Sequence, residues 1–424
     1  MKLKPNPRLT IITVILLGVS LFSSLALQRV LASTNEPLKI YDLDYTFSFL
    51  PDDKSAHVTI RLSNNAGLIK RLSFNFDPVQ HIQFEGDGEV KIEANNLTWH
   101  PPKEGGSLSY RVKIDRKRDS GTYNAYFSKD WAIFRGEHLV PSVKVVTKPK
   151  AESRAQLRFN IPAGWAAATA YEPLEKFNFA IDNPQRRFDR PKGWMAVGNM
   201  GIRKEQILNT HVVVAGPKYQ GIRRQDIIAF LNWNLPELVA VFPDFYQHFL
   251  IVSAGDPMWR GGLSGPGSFY IHKDRPMISG NGTSTLIHEL VHTAMRINGG
   301  DNDDWIVEGF AEFYSLEIMR RSGTISERRY KIAMSKLQQW GTDIKKLRVK
   351  RSHGPITARA VLLMKELDNE IKKITGNTAS LDDVVRVFAR EQGKVSLAQL
   401  RRIAKEVAGT SLKSLSTNNS LLAD

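Results

Sequence analysis

The stretch that most restricts this chain is His288-Glu289-Leu290-Val291-His292, an H-E-x-x-H pattern set in a helical periodicity. Leu286, Ile287, Leu290, Val291, Ala294 and Met295 recur at the spacing of one helix face. Thr283 or Ser284 can cap the start, and Gly299 follows the end. Residues four apart on a helix lie one turn apart on the same side. His288 and His292 can therefore grip one metal ion together. Glu289 sits beside them, placed to take a proton from a water that the metal activates. The chain has no cysteine, which excludes thiolate ligands, a thiol nucleophile and disulfides. The obvious transition-metal ligands are histidine and carboxylate.

A second helical stretch follows shortly: Trp305-Ile306-Val307-Glu308-Gly309-Phe310-Ala311-Glu312. Zinc hydrolases use three protein ligands and keep one position for water. Glu308, sixteen positions after His292, is the natural third ligand of one zinc ion per chain. Glu312, one turn on, is suited to accept the free ring N–H of a ligating histidine, which fixes that ring's tautomer and orientation.

H-E-L-V-H followed by W-I-V-E-G-F-A-E resembles the gluzincin zinc metallopeptidases, whose third ligand is a glutamate on a second helix. The E-G-F-A around Glu308 is similar to the large aminopeptidases, although the spacing from the histidines is somewhat shorter here. More closely, the chain resembles the glycyl-aminopeptidase family. That likeness adds Gly261-Gly262-Leu263, the strand before the zinc helix, and the later run LDNEIKKITGNTASLDDVV. It covers most of residues 40–410, with specific motifs only in 255–385. It implies an α+β multidomain fold: an N-terminal antiparallel β domain, a thermolysin-like α/β catalytic core and a helical C-terminal lobe.

The chain departs from the family in two places. The family follows Gly-Gly-Leu with a glutamate that holds the substrate's free amine, where this chain has Ser264. A hydroxyl cannot offer an ammonium the charge–charge attraction of a carboxylate. The family also carries an oxyanion-stabilising tyrosine before the helix matching 360–368, where this chain has Thr357, Ala358 and Arg359. His353 and Tyr330 are candidates for that oxyanion role by proximity in sequence alone. The family's further C-terminal peptide-binding module is expected to be absent.

Taken in order, residues 1–32 read as an export segment. Lys2, Lys4 and Arg8 precede an uncharged, largely apolar run of nineteen residues, Leu9–Leu27, and Val30-Leu31-Ala32 suits signal-peptidase cleavage. The run is also just long enough to span a bilayer, so a retained membrane anchor through 9–27 stays open. Either reading places the rest outside the cytoplasm, secreted, periplasmic or anchored. Residues 33–165 alternate apolar and polar positions between turn signals and read as a sandwich or saddle of antiparallel strands. Residues 166–345 form the expected zinc core and 346–424 the helical lobe. The loop Gly261, Gly262, Leu263, Ser264 is expected to line the substrate subsites, a plain turn between strands being the other reading. His57, His81, His100 and His138 lack metal spacing, and His272 is not expected to be a ligand.

A net charge of +16 suits anionic envelope surfaces or simply a solvated basic face; no nucleic-acid motif is present and no nucleic acid is expected. The oligomeric state is open. Together these readings give an exported zinc metallopeptidase acting on peptide or protein, with Glu289 as general base. The loss of the amine-holding glutamate favours endopeptidase-like action, or a blocked or unusual substrate, over aminopeptidase action. The alternative is a weak or inactive zinc-site protein that binds peptide or cell-envelope material.

Overall fold

The computed structural model describes residues 39–182 and 187–423. The leader reading of residues 1–32 therefore lies outside the described residues. Among the described residues no helix is long and apolar enough to cross a membrane.

The N-terminal half is built from strands because its apolar residues alternate. In Lys39–Leu50, Tyr41, Leu43, Tyr45 and Phe47 turn inward and are buried, while their neighbours are half exposed. Seven strands form the largest sheet, in the order Glu172–Glu175, Asn178–Ile181, Ala151–Asn160, Lys39–Leu50, Ser55–Leu62, Gly106–Lys113, His81–Gly86. A four-stranded and a five-stranded sheet complete the domain, around a core that includes Trp99, Tyr110, Phe127 and Phe134. The pairing is antiparallel as expected, with one exception. Lys39–Ser48 runs parallel to Ala151–Asn160 over ten residues. An alternating pattern fixes which face is buried; it does not fix the direction of the partner.

Residues 166–198, expected in the zinc core, instead extend the N-terminal sheets. Ala166–Ala168 and Trp194–Gly198 pair beside Trp131–Arg135, and Asn178–Ile181 pairs with Ala155–Arg158. The sheet of the α/β core begins at Met200. Its order is Met200–Ile207, Thr210–Pro217, His248–Ala254, Ser268–His272, Gly262–Gly265, with the two central pairings parallel. Helix Arg224–Val241 makes the crossover between the first parallel pair and buries Ile227, Ile228, Leu231, Leu235 and Leu238. Gly262–Gly265 is left at the sheet's edge. The two halves meet through Trp131, Ile133, Trp194 and Ala196 from one side and Leu250, Val252 and Tyr270 from the other.

The C-terminal region is helical: Thr285–Met295, Asp304–Arg321, Glu327–Gly341, Pro355–Ile374, Leu381–Glu391 and Leu397–Ala408. The last three do not form a lobe with a core of their own. Val361, Leu367, Phe388 and Ile403 share one apolar core with Leu286 and Leu290 of the motif helix and with Phe249 and Phe269 of the sheet. The mixed α+β architecture is otherwise as the motif context implies.

Candidate metal centre

Ser284 caps the motif helix, its hydroxyl accepting from the Ile287 N–H at 3.3 Å. Leu286, Leu290 and Ala294 drive one face of that helix into the core, which turns His288 and His292 toward the helix Asp304–Arg321. The two helices are tied at depth by Ser315, whose hydroxyl donates to the Ser284 carbonyl. Gly309 lets the second helix approach the helix Pro355–Ile374: a Cβ there would stand 3.0 Å from the Ala360 Cβ.

Three side chains converge. Nε2 of His288 and Nε2 of His292 are 3.0 Å apart. Glu308 places one carboxylate oxygen 3.4 Å from the first nitrogen and the other 3.3 Å from the second. The ligand atoms of a tetrahedral zinc stand about 3.3 Å apart, so the donor set fits the ion. Two ring nitrogens facing each other beside a carboxylate also need a cation, or a proton, between them. Glu312 accepts from or holds Nδ1 of His288 at 2.9 Å, which leaves Nε2 to face the other donors. Burial works against a charge on His288, but Glu308 and Glu312 outweigh it and raise its pKa well above the ordinary value. A divalent cation meets the same field. Among the described residues, His288, His292 and Glu308 are the group of such donors close enough to hold one ion.

Glu289 is buried beside this triad, with the edge strand pressed against it. A Cβ on Gly262 would lie 2.5 Å from its Cγ and 2.7 Å from Oε1, so glycine is required at that contact. The orientation of the strand follows from its register. The Gly261 carbonyl accepts from the His272 N–H, and Gly262 and Ser264 lie opposite Ile271 and Phe269. In an antiparallel ladder alternate residues turn toward the partner and away from it. Gly262 and Ser264 therefore present their N–H and C=O groups to the open edge. Leu263 lies between them, and its carbonyl accepts from Trp194 Nε1 at 2.7 Å.

Two groups at the site come from parts of the chain where sequence gave no sign of them. Arg135, at the end of a strand in the N-terminal domain, donates from Nη2 to the Ser264 carbonyl. Its guanidinium lies over the Trp194 ring, 4.8 Å from the centroid, and 3.5 Å from Glu137. Asp303 and Asp304 hold the loop that precedes Pro355: Asp303 accepts from Arg348, and Asp304 accepts from the Ser352 N–H at 2.7 Å. That loop carries His353, which is exposed, next to a residue pinned one turn before Glu308. Tyr330 is placed differently. Its hydroxyl donates to Glu317, further along the same helix, and burial with that carboxylate raises its pKa. The structure does not bring it to the triad.

A cavity of about 520 Å³ is lined by Glu312, the partner of His288, with Asn281, Thr283, Lys336, Leu337 and Trp340. A larger one, about 840 Å³, lies between the N-terminal strands and the sheet of the α/β core, against Glu172, Lys176, His211 and His248. It touches none of the metal-facing residues. The donor geometry, not cavity size, identifies the site.

No family model matches the chain, and no curated protein matches it. Solved structures do. An aminopeptidase N family protein from Idiomarina loihiensis superimposes with a TM-score of 0.62 at 14% identity, over 82% of this chain and 70% of that one. A two-domain M1 zinc metallopeptidase bound to L-arginine gives 0.58 at 14%, over 91% and 94%. An M1 zinc metallopeptidase from Deinococcus radiodurans gives 0.56 at 15%, over 89% and 91%. The chain has the fold of the M1 zinc metallopeptidases, with the β domain, α/β core and helical region in the same order, and the gluzincin resemblance holds at the level of fold.

Proposed function

We propose that this chain is an exported zinc metallopeptidase with one zinc ion held by His288, His292 and Glu308. The observation that carries the reading is the contact of Glu289, the chain neighbour of His288, with Gly262 of the edge strand, beside the convergence of His288, His292 and Glu308. A peptide added to that edge would lie with its backbone beside the carboxylate. Bound zinc would lower the pKa of a water and polarise the scissile carbonyl. Glu289 takes the proton from the water and delivers it to the departing amine. Glu312 holds the His288 ring in the tautomer that ligation needs. His353 is the remaining candidate to steady the oxyanion. Residues 1–32 carry the chain out of the cytoplasm, either removed after Ala32 or kept as an anchor. The edge strand presents small residues and no acid at Ser264, which supports cleavage within a peptide over removal of N-terminal residues.

Glu289→Gln tests the reading. The variant should keep close to one zinc per chain and lose peptide hydrolysis, since it retains all three ligands and removes the base. Full activity in Glu289→Gln would remove the mechanism. A zinc-loaded wild-type protein that binds peptides without cleaving any would instead favour a binding protein of the cell envelope.

A further inference from the structure

We infer that Arg135 sets substrate choice, receiving a carboxylate of the peptide laid along the open edge at Gly262 and Ser264. This rests on the peptidase reading above and names its substrate class, an acidic peptide. Outward-facing positions two residues apart on a strand are separated by about 7 Å. Gly262 abuts Glu289, so the scissile peptide lies there, and Ser264 is one such step further along. At that step an added strand would meet a carbonyl already shared with Arg135, one lone pair of the Ser264 oxygen accepting from its guanidinium. The peptide leaving Gly262 meets a guanidinium there.

Three features make that guanidinium an anion receiver and not a clasp alone. It is held flat by Trp194 and by the Ser264 carbonyl, so little freedom is lost when a ligand binds. Its side chain keeps 24% of its surface exposed, and of its five N–H donors one is committed to Ser264. Its neighbour Glu137 faces it with one oxygen at 3.5 Å, while the other accepts from the Gly193 N–H at 2.8 Å, so the pair is one long contact and not a bidentate clamp. A substrate ammonium arriving at this place would face a like charge. A carboxylate would gain a charge-assisted, planar contact in a half-dry cleft, where such contacts are stronger than in water.

The test compares zinc-loaded wild type with Arg135→Gln and Arg135→Lys on matched peptides. One arm replaces Glu by Gln at each position in turn; the other compares free with amidated C-termini, which tells a side-chain carboxylate from a terminal one. Wild type should favour one acid over its amide by about tenfold in kcat/KM. Arg135→Gln should erase that preference, bringing the acid-to-amide ratio of kcat/KM to about one, and Arg135→Lys should retain part of it. Equal rates for acid and amide in wild type, or an intact preference in Arg135→Gln, overturn the inference; a uniform loss on all peptides makes Arg135 a structural clasp and overturns it equally. If no peptide is cleaved at all, the peptidase reading has failed, and calorimetric binding of the same peptides to zinc-loaded Glu289→Gln decides this inference. There the acid should bind about tenfold tighter than the amide, and the addition of Arg135→Gln should remove the difference. Failure of either result overturns it.

Discussion

Glu308 and Glu317 lie nine residues apart on one helix, and the molecule uses them in opposite ways. Both are partly or wholly removed from water, and in both burial opposes the charge while close partners more than offset it. The partners differ. Glu317, with its side chain 3% exposed, is met by Arg320, Arg321, Lys365 and Tyr330, three permanent cations and a phenol. Glu308, at the rim of the cleft, is met by two imidazole nitrogens. A carboxylate among guanidinium and ammonium groups is satisfied by the fold itself. A carboxylate among imidazoles is satisfied only when a cation or protons are supplied. Partner chemistry, not burial, separates the functional glutamate from the structural one.

The contrast breaks most visibly at the ligand. Glu308→Ala should lose zinc and hydrolysis together while the protein stays folded, measured by metal content and circular dichroism. Zinc bound as tightly as in wild type would exclude Glu308 as a ligand. Glu317→Ala should do the reverse. It removes a buried carboxylate shared by Arg320, Arg321 and Lys365, each of which keeps a second acid in Glu327, Asp382 or Asp368, and should cost about 1–3 kcal/mol of stability in denaturant titrations. Its zinc content should be unchanged, and a loss of metal there would mean that the two glutamates are not independent. Glu312→Gln tests the support of His288 and should weaken zinc about 10–100-fold in a chelator competition. The smallest effect belongs to Tyr330→Phe. It removes one hydrogen bond to a charged acceptor, worth about 1–2 kcal/mol, and should leave kcat unaltered. A large fall in kcat would return Tyr330 to the oxyanion role from which its contact with Glu317 removes it.

What could be read in advance follows the same division. His288, His292, Glu308 and Glu312 sit on two adjacent helices, and helical spacing converts directly into shared faces. The helical character of the C-terminal region was legible too, whereas Gly262–Gly265 reads as a loop in the sequence and proves to be an edge strand. Arg135 was not legible. It reaches the edge strand from 129 residues away, on a strand of another domain, and nothing in its local pattern distinguishes it from other surface cations. The extent of the N-terminal domain was misjudged because residues 166–198 are short strands, and sequence does not say which sheet a short strand joins. Glu317 gave no sign either. Its importance depends on Tyr330 and Lys365, which come from two later helices.

The parallel ladder between Lys39–Ser48 and Ala151–Asn160 has a consequence in time. The chain is made from its N-terminus at about 5–20 residues per second, so the first strand waits roughly 5–20 s for its central partner. Ser55–Leu62 can pair with it at once as a hairpin, but the other side keeps a row of open backbone groups beside Tyr41, Leu43, Tyr45 and Phe47. Such a side invites pairing with any passing strand. The parallel partners in the α/β core sheet are separated by far shorter stretches, for example Thr210–Pro217 and His248–Ala254. Late, long-range closure is slow closure. The pace at which this protein reaches its native form is therefore set in the β domain, well away from His288, His292 and Glu308, and variants that slow its appearance in cells should cluster on the strand at 151–160 and not around those three residues.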